Sequence, residues 1–142
     1  MLNISHLHPM LVHFPIAIVV IGFLADFIQV IIKKDECFSK MGFYLLITGT
    51  LAAFATLMSG ILFTSEMSGA AGEIRETHEL FAWITVGLLI AASVLRVMVL
   101  VRKIEKNQFK WVISLMYGLA AISVSITGFY GGTLVYNYMM PL

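Results

Sequence analysis

The sequence predicts an all-α integral membrane protein, an up-down four-helix transmembrane bundle, and three observations carry that reading. Of its 142 residues 60% are hydrophobic and only 12% charged, with a mean hydropathy of +0.95, whereas an ordinary soluble domain carries about 25% charged residues. Four apolar stretches, 10–32, 41–63, 80–101 and 111–133, each reach the roughly 20 residues needed to cross a hydrocarbon core about 30 Å thick. The connections between them, 33–40, 64–79 and 102–110, are short enough to force neighbouring helices antiparallel. Helices are therefore expected over about 9–32, 41–64, 73–102 and 110–133, in a single domain covering 1–142.

The first helix is expected to stay in the mature protein. No basic residue precedes it, and its apolar run exceeds the 7 to 15 residues of a signal-peptide core. Its mouth reads LHPMLVHFP, with Pro9 in a first turn, where a missing amide costs nothing. Pro15 falls one turn later and deprives the Leu11 carbonyl of its donor. A kink or local unwinding is expected there, tolerated in a membrane only where other groups cover the exposed backbone.

The second and fourth helices supply small residues, Ser59 and Gly60 in one and Gly128, Gly131 and Gly132 in the other. These suit close helix packing or room for a flat ligand. The nine methionines are scattered over several helices and read as adaptable core filler. Cys37, the single cysteine, has no second cysteine to bridge to and is expected as a reduced thiol in a cytoplasmic loop.

Orientation follows from Lys and Arg, which cytoplasmic loops retain. Lys33, Lys34, Lys40, Arg102, Lys103, Lys106 and Lys110 flank the two short loops, while the other side has Arg75 among Glu66, Glu73, Glu76 and Glu79. Both termini and the 64–79 connection are expected outside. Tyr130, Tyr136 and Tyr138 at the outer edge and Phe43, Tyr44 and Trp111 at the inner edge suit interfacial aromatic belts. No basic cluster interleaved with aromatics is present, which excludes a nucleic-acid partner; the partners expected are the lipid bilayer and a redox protein or a second copy of the chain.

The polar residues inside the spans fall at two depths. His6, His8, His13 and His78 share the outer end, and Asp26 and Arg96 lie near the other. At about 100° per residue, eighteen residues close five turns, and eighteen separates both His8 from Asp26 and His78 from Arg96. Since a charge at a helix centre costs about 2.5–3.5 kcal/mol on insertion scales, Asp26 and Arg96 are expected to face each other inside the bundle. That would aim His8 at His78. Lys33, Asp35 and Lys40 also precede Lys103, Glu105 and Lys110 by 70 residues, but only five positions are identical at that offset, so equal segment lengths are supported and an internal repeat is not.

LHPMLVHFPIA, the following Asp26, THEL around His78 and the closing GFYGGTLVY together resemble a bacterial family of inner-membrane proteins, domain of unknown function 2231. The resemblance covers nearly the whole chain and implies four helices in a bacterial cytoplasmic membrane, with His8, His13 and His78 as motif positions. It implies no reaction.

Three functional readings remain. The first is a b-type haem for electron transfer, held near the outer face between the first and third helices, because bundle cores build cofactor sites from facing side chains and imidazole is a standard axial ligand. Depth in the helix favours His13 with His78, and orientation favours His8. The second is a zinc or copper site formed by His8, His13, His78 and Glu79, with Glu73 in reserve. The third is a structural or assembly subunit whose histidines bond loop carbonyls. Hydrolysis finds no support, since HEL at His78 lacks the second histidine of a zincin motif and no nucleophile elbow is present. A proton path gated by Asp26 and Arg96 would need an oligomer to enclose a pore.

Overall fold

The computed structural model describes residues 7–32, 36–104 and 106–138. His6, Lys33, Lys34, Asp35 and Glu105, which entered the sequence reading, lie outside them. The described residues form α1 (Leu7–Leu11), α2 (His13–Ile32), α3 (Glu36–Phe63), α4 (Ala70–Val101) and α5 (Asn107–Asn137). Four segments, the first being α1 and α2 together, are long and apolar enough to cross a membrane, so the protein is a multi-pass membrane protein in contact with the lipid bilayer. Three helices run beyond their apolar stretches: α3 has 28 residues, α4 has 32 and α5 has 31, more than the roughly 20 that a bilayer core requires. Their added turns carry polar and charged residues. Lys40, for example, pairs with Glu36 at 3.3 Å in the exposed first turn of α3.

The first span is interrupted at Val12, one turn before the proline that removes a donor from the Leu11 carbonyl. That carbonyl accepts a hydrogen bond from Thr56 Oγ1 of α3 at 3.4 Å, so a side chain from the neighbouring helix replaces the missing amide. The Val12 amide still bonds the His8 carbonyl at 3.1 Å, which keeps α1 and α2 nearly in register. Gly69, at φ 68°, turns the chain into α4; the left-handed region favours a residue without Cβ.

The α2 helix packs against α3 and α5, and α4 packs against the same two, so the bundle closes as a square with α2 and α4 on one diagonal. Val19, Leu46, Leu89, Ala92, Tyr117 and Ala120 fill its axis. Phe14, Leu51, Phe54, Leu62, Leu115 and Phe129 point outward and are exposed, as lipid-facing residues must be in a bundle whose solvent is hydrocarbon. Tyr44 and Trp111 at one end and Tyr136 and Tyr138 at the other are also exposed; Phe43 and Tyr130 are half-buried. Hydroxyls tie the square together. Thr50 and Ser93 Oγ atoms are 2.9 Å apart between α3 and α4, and Thr85 donates to Ser123 at 2.9 Å between α4 and α5 while Ser123 donates to the Phe81 carbonyl at 3.0 Å.

Candidate functional site: two polar contacts across the diagonal

At the mouth of the bundle, His8 of α1 and His78 of α4 face each other with ring centroids 6.2 Å apart and planes nearly perpendicular, at 89°. Orientation, not depth, decides which histidine of the first span meets α4. His8 is seated by α3 and His78 by α5. His8 Nδ1 lies 2.9 Å from Ser59 Oγ, and Ser59 spends its one proton on the Thr56 carbonyl at 2.7 Å, so at His8 the hydroxyl can only accept. His78 Nδ1 lies 2.9 Å from the Thr127 carbonyl, also an acceptor. The carbonyl fixes His78 as the Nδ1–H tautomer, and the same tautomer at His8 satisfies both contacts of Ser59; the lone pair of each ring is then on Nε2, the nitrogen from which an imidazole binds a metal when its other nitrogen is engaged in this way.

Glycines make the seats. A Cβ on Gly60 would come within 3.0 Å of His8 Cε1, and one on Gly131 within 3.1 Å of His78 Cε1, tighter than ordinary van der Waals contact. Gly128 makes room for Ile16 instead, and a Cβ on Gly132 would meet nothing within 4 Å. Of the small residues of α3 and α5, Ser59, Gly60 and Gly131 thus serve the imidazoles.

The two rings line a mostly apolar cavity of about 800 Å³, which His13, Glu79, Arg75 and Gly132 also border, within the range of pockets that take cofactor-sized ligands. His13 does not join the pair. Its Nδ1 donates to the Pro9 carbonyl one turn back at 2.9 Å, and it is exposed, as are Glu79 and Glu73. Among the described residues, no three His, Cys, Asp or Glu side chains are gathered so as to hold a metal ion. Arg75 pairs with Glu66 at 2.6 Å and is itself largely covered, fastening the α3–α4 connection beside the cavity.

At the other end Arg96 Nη1 stands 3.0 Å from Asp26 Oδ1, both side chains being almost fully buried, and Arg96 Nη2 turns toward the Ser39 carbonyl and hydroxyl at 3.5 Å. Gly42 lets the α3 backbone close on α2 here, since a Cβ would lie 3.1 Å from the Asp26 backbone. The diagonal helices therefore meet through imidazoles at one end and through opposite charges at the other. Both pairs are separated by 70 residues in the chain.

Ser59, Thr127 and Thr56 are the residues that sequence reasoning did not assign. Ser59 and Gly60 stood out only as small, and nothing in their spacing marks one as an acceptor and the other as a seat. A carbonyl such as that of Thr127 has no signature at all.

The family described as predicted membrane protein, DUF2231, matches residues 5–141. The chain belongs to this family. No curated protein and no solved structure matches it. The match spans all five helices, so the histidine pair and the charge pair both lie within the part of the chain that defines a DUF2231 protein.

Proposed function

We propose that this DUF2231 protein is a membrane-embedded b-type haem-binding protein for electron transfer, with its cofactor at the histidine end between α1 and α4 and with His8 and His78 as axial ligands. The membrane is the bacterial cytoplasmic membrane, with the histidine end and both termini on its outer side, where a redox partner or a second copy would dock. The observation that carries the reading is the His8–His78 pair itself. The structure brings these two imidazoles together across the diagonal at the mouth of the cavity, with ring centroids 6.2 Å apart, and through Nε2 they would hold a haem iron between α1 and α4.

The number of ligands favours haem over zinc or copper. A site built from protein alone takes three or four side chains, whereas a porphyrin supplies four donors of its own and leaves two axial positions. His8 and His78 would suffice to hold it, without His13 or Glu79. When bound, haem iron supplies one-electron chemistry. The chain seats the rings through Ser59 and Thr127, lines the cavity mostly with apolar groups and sets the separation of α1 and α4.

The test is the absorption spectrum and metal content of detergent-purified protein expressed with ample haem. A Soret band is expected, lost in His8→Ala and in His78→Ala and retained in His13→Ala. Stoichiometric zinc or copper without a Soret band would replace this reading with the metal site, and a colourless, metal-free protein would leave the structural-subunit reading.

A further inference from the structure

The charge pair at the opposite end is incomplete as it stands. Asp26 Oδ2, Ser114 Oγ and Tyr117 Oη are buried without a hydrogen-bond partner among the described residues, as is Gln29 Oε1. Their residues are no more than 8% exposed, and Tyr117 is fully enclosed. An unsatisfied buried polar atom costs about 1–3 kcal/mol, and in lipid no bulk water relieves it. Asp26, Ser114 and Tyr117 lie near one another, with Gln29 one turn further along α2, and they call for a common partner.

Their placement supports one. Asp26 and Gln29 are one turn apart on the buried face of α2, and Ser114 and Tyr117 are one turn apart on the buried face of α5, which packs against α2. Ser114 reaches toward the Asp26 carboxylate without completing a hydrogen bond. The Tyr117 hydroxyl lies against Gly22, one turn before Asp26, where any Cβ would overlap it. The carboxylate and amide oxygens accept, and the two hydroxyls have protons to give. The carboxylate oxygen and the two hydroxyls are a set that bound water can bridge, accepting from the hydroxyls and donating to the carboxylate.

The geometry points to an internal water site between α2 and α5, in which bound water bridges Asp26 Oδ2 to the Ser114 and Tyr117 hydroxyls and extends toward Gln29. Such a site needs polar partners and room for one probe sphere, and here the partners come from both helices. Water completes the lone pairs that Arg96 leaves open, which is the condition for a buried ion pair to stand in a medium of low dielectric. The site is independent of the haem reading, since it shares no residue with the histidine end.

The test turns on a sign. Tyr117→Phe removes one hydroxyl with almost no change of volume. If water bridges the cluster, the variant strands a hydrogen bond, and the thermal midpoint of the purified protein falls by a few degrees; Ser114→Ala falls likewise. If the hydroxyls are dry orphans, deleting either relieves an unsatisfied group and the midpoint holds or rises, which overturns the proposal. A crystal structure at a resolution that shows ordered solvent gives the second reading: density for water within about 3 Å of Asp26 Oδ2 and the Tyr117 hydroxyl supports the site, and direct contact of Tyr117 or Ser114 with the carboxylate in place of water refutes it.

Discussion

Ser59 does two things with one hydroxyl: it donates to the Thr56 carbonyl at 2.7 Å and accepts from His8 Nδ1 at 2.9 Å. That order goes with a proton on His8 Nδ1, so the residue acts on any metal through the ring. Groups that orient a metal-bound histidine typically change metal affinity by 10–100-fold when removed. Ser59→Ala is accordingly expected to weaken haem retention by about 10-fold while the protein still folds, measured as the rate at which an apo-haemoprotein acceptor strips the Soret absorbance. Ser59→Thr, which keeps the hydroxyl, should retain most of it. Equal loss in both variants would mean that the effect is steric and that the bond to His8 does not matter.

The broken first span shows how an element answers a local defect. Pro15 leaves the Leu11 carbonyl without its amide, α1 ends there, and Thr56 of α3 bonds the orphan at 3.4 Å. The position of the break was legible in the sequence, because the lost donor of a proline is a fixed four residues back. The identity of the rescuer was not, since it depends on the register of α3 against α2, and a lone threonine in an apolar helix reads equally well as one that bonds its own backbone. Thr56→Val should lower stability by about 1–3 kcal/mol by stranding the carbonyl. Pro15→Ala restores an amide to it, so the double variant should lose less than Thr56→Val alone when thermal unfolding in detergent is followed by circular dichroism. Simple additivity of the two changes would show that Thr56 does not serve this carbonyl.

Across the whole molecule the sequence made the architecture legible: four apolar stretches joined by short connections leave little choice but an up-down square. It also made the diagonal legible, because an eighteen-residue spacing puts His8 above Asp26 and His78 above Arg96, and the cost of a lone charge in lipid demands that those two helices face. What stayed hidden was everything decided by facing backbones, including the seats that Gly60 and Gly131 give the rings. The charge pair is expected to behave as a unit. Asp26→Ala or Arg96→Ala alone leaves a buried charge without its partner and should cost about 3–5 kcal/mol, whereas the double variant should recover part of that loss, read from the thermal midpoints of all three in one detergent. A double variant as damaged as the sum of the singles would mean that the two charges do not compensate each other.

The orientation of that square in the membrane is a separate whole-molecule property, set by charge at its two ends and not by its core. Lys40, Arg102, Lys103, Lys106 and Lys110 collect at the end that holds Asp26 and Arg96, and Arg75 stands among acidic residues at the other. Positive charge resists translocation, so the lysine end should remain in the cytoplasm and the histidine end should face outward. Cys37 lies at the lysine end, exposed in the second residue of α3, and reports on it directly. In intact cells a thiol reagent that cannot cross the inner membrane should leave Cys37 unlabelled, and labelling should appear once the membrane is opened. As a control for the outer side, a cysteine introduced at exposed Ser68, in a Cys37→Ser background, should label in intact cells. The reverse pattern would turn the bundle over and put the His8–His78 site on the cytoplasmic side, where any redox partner would have to be sought.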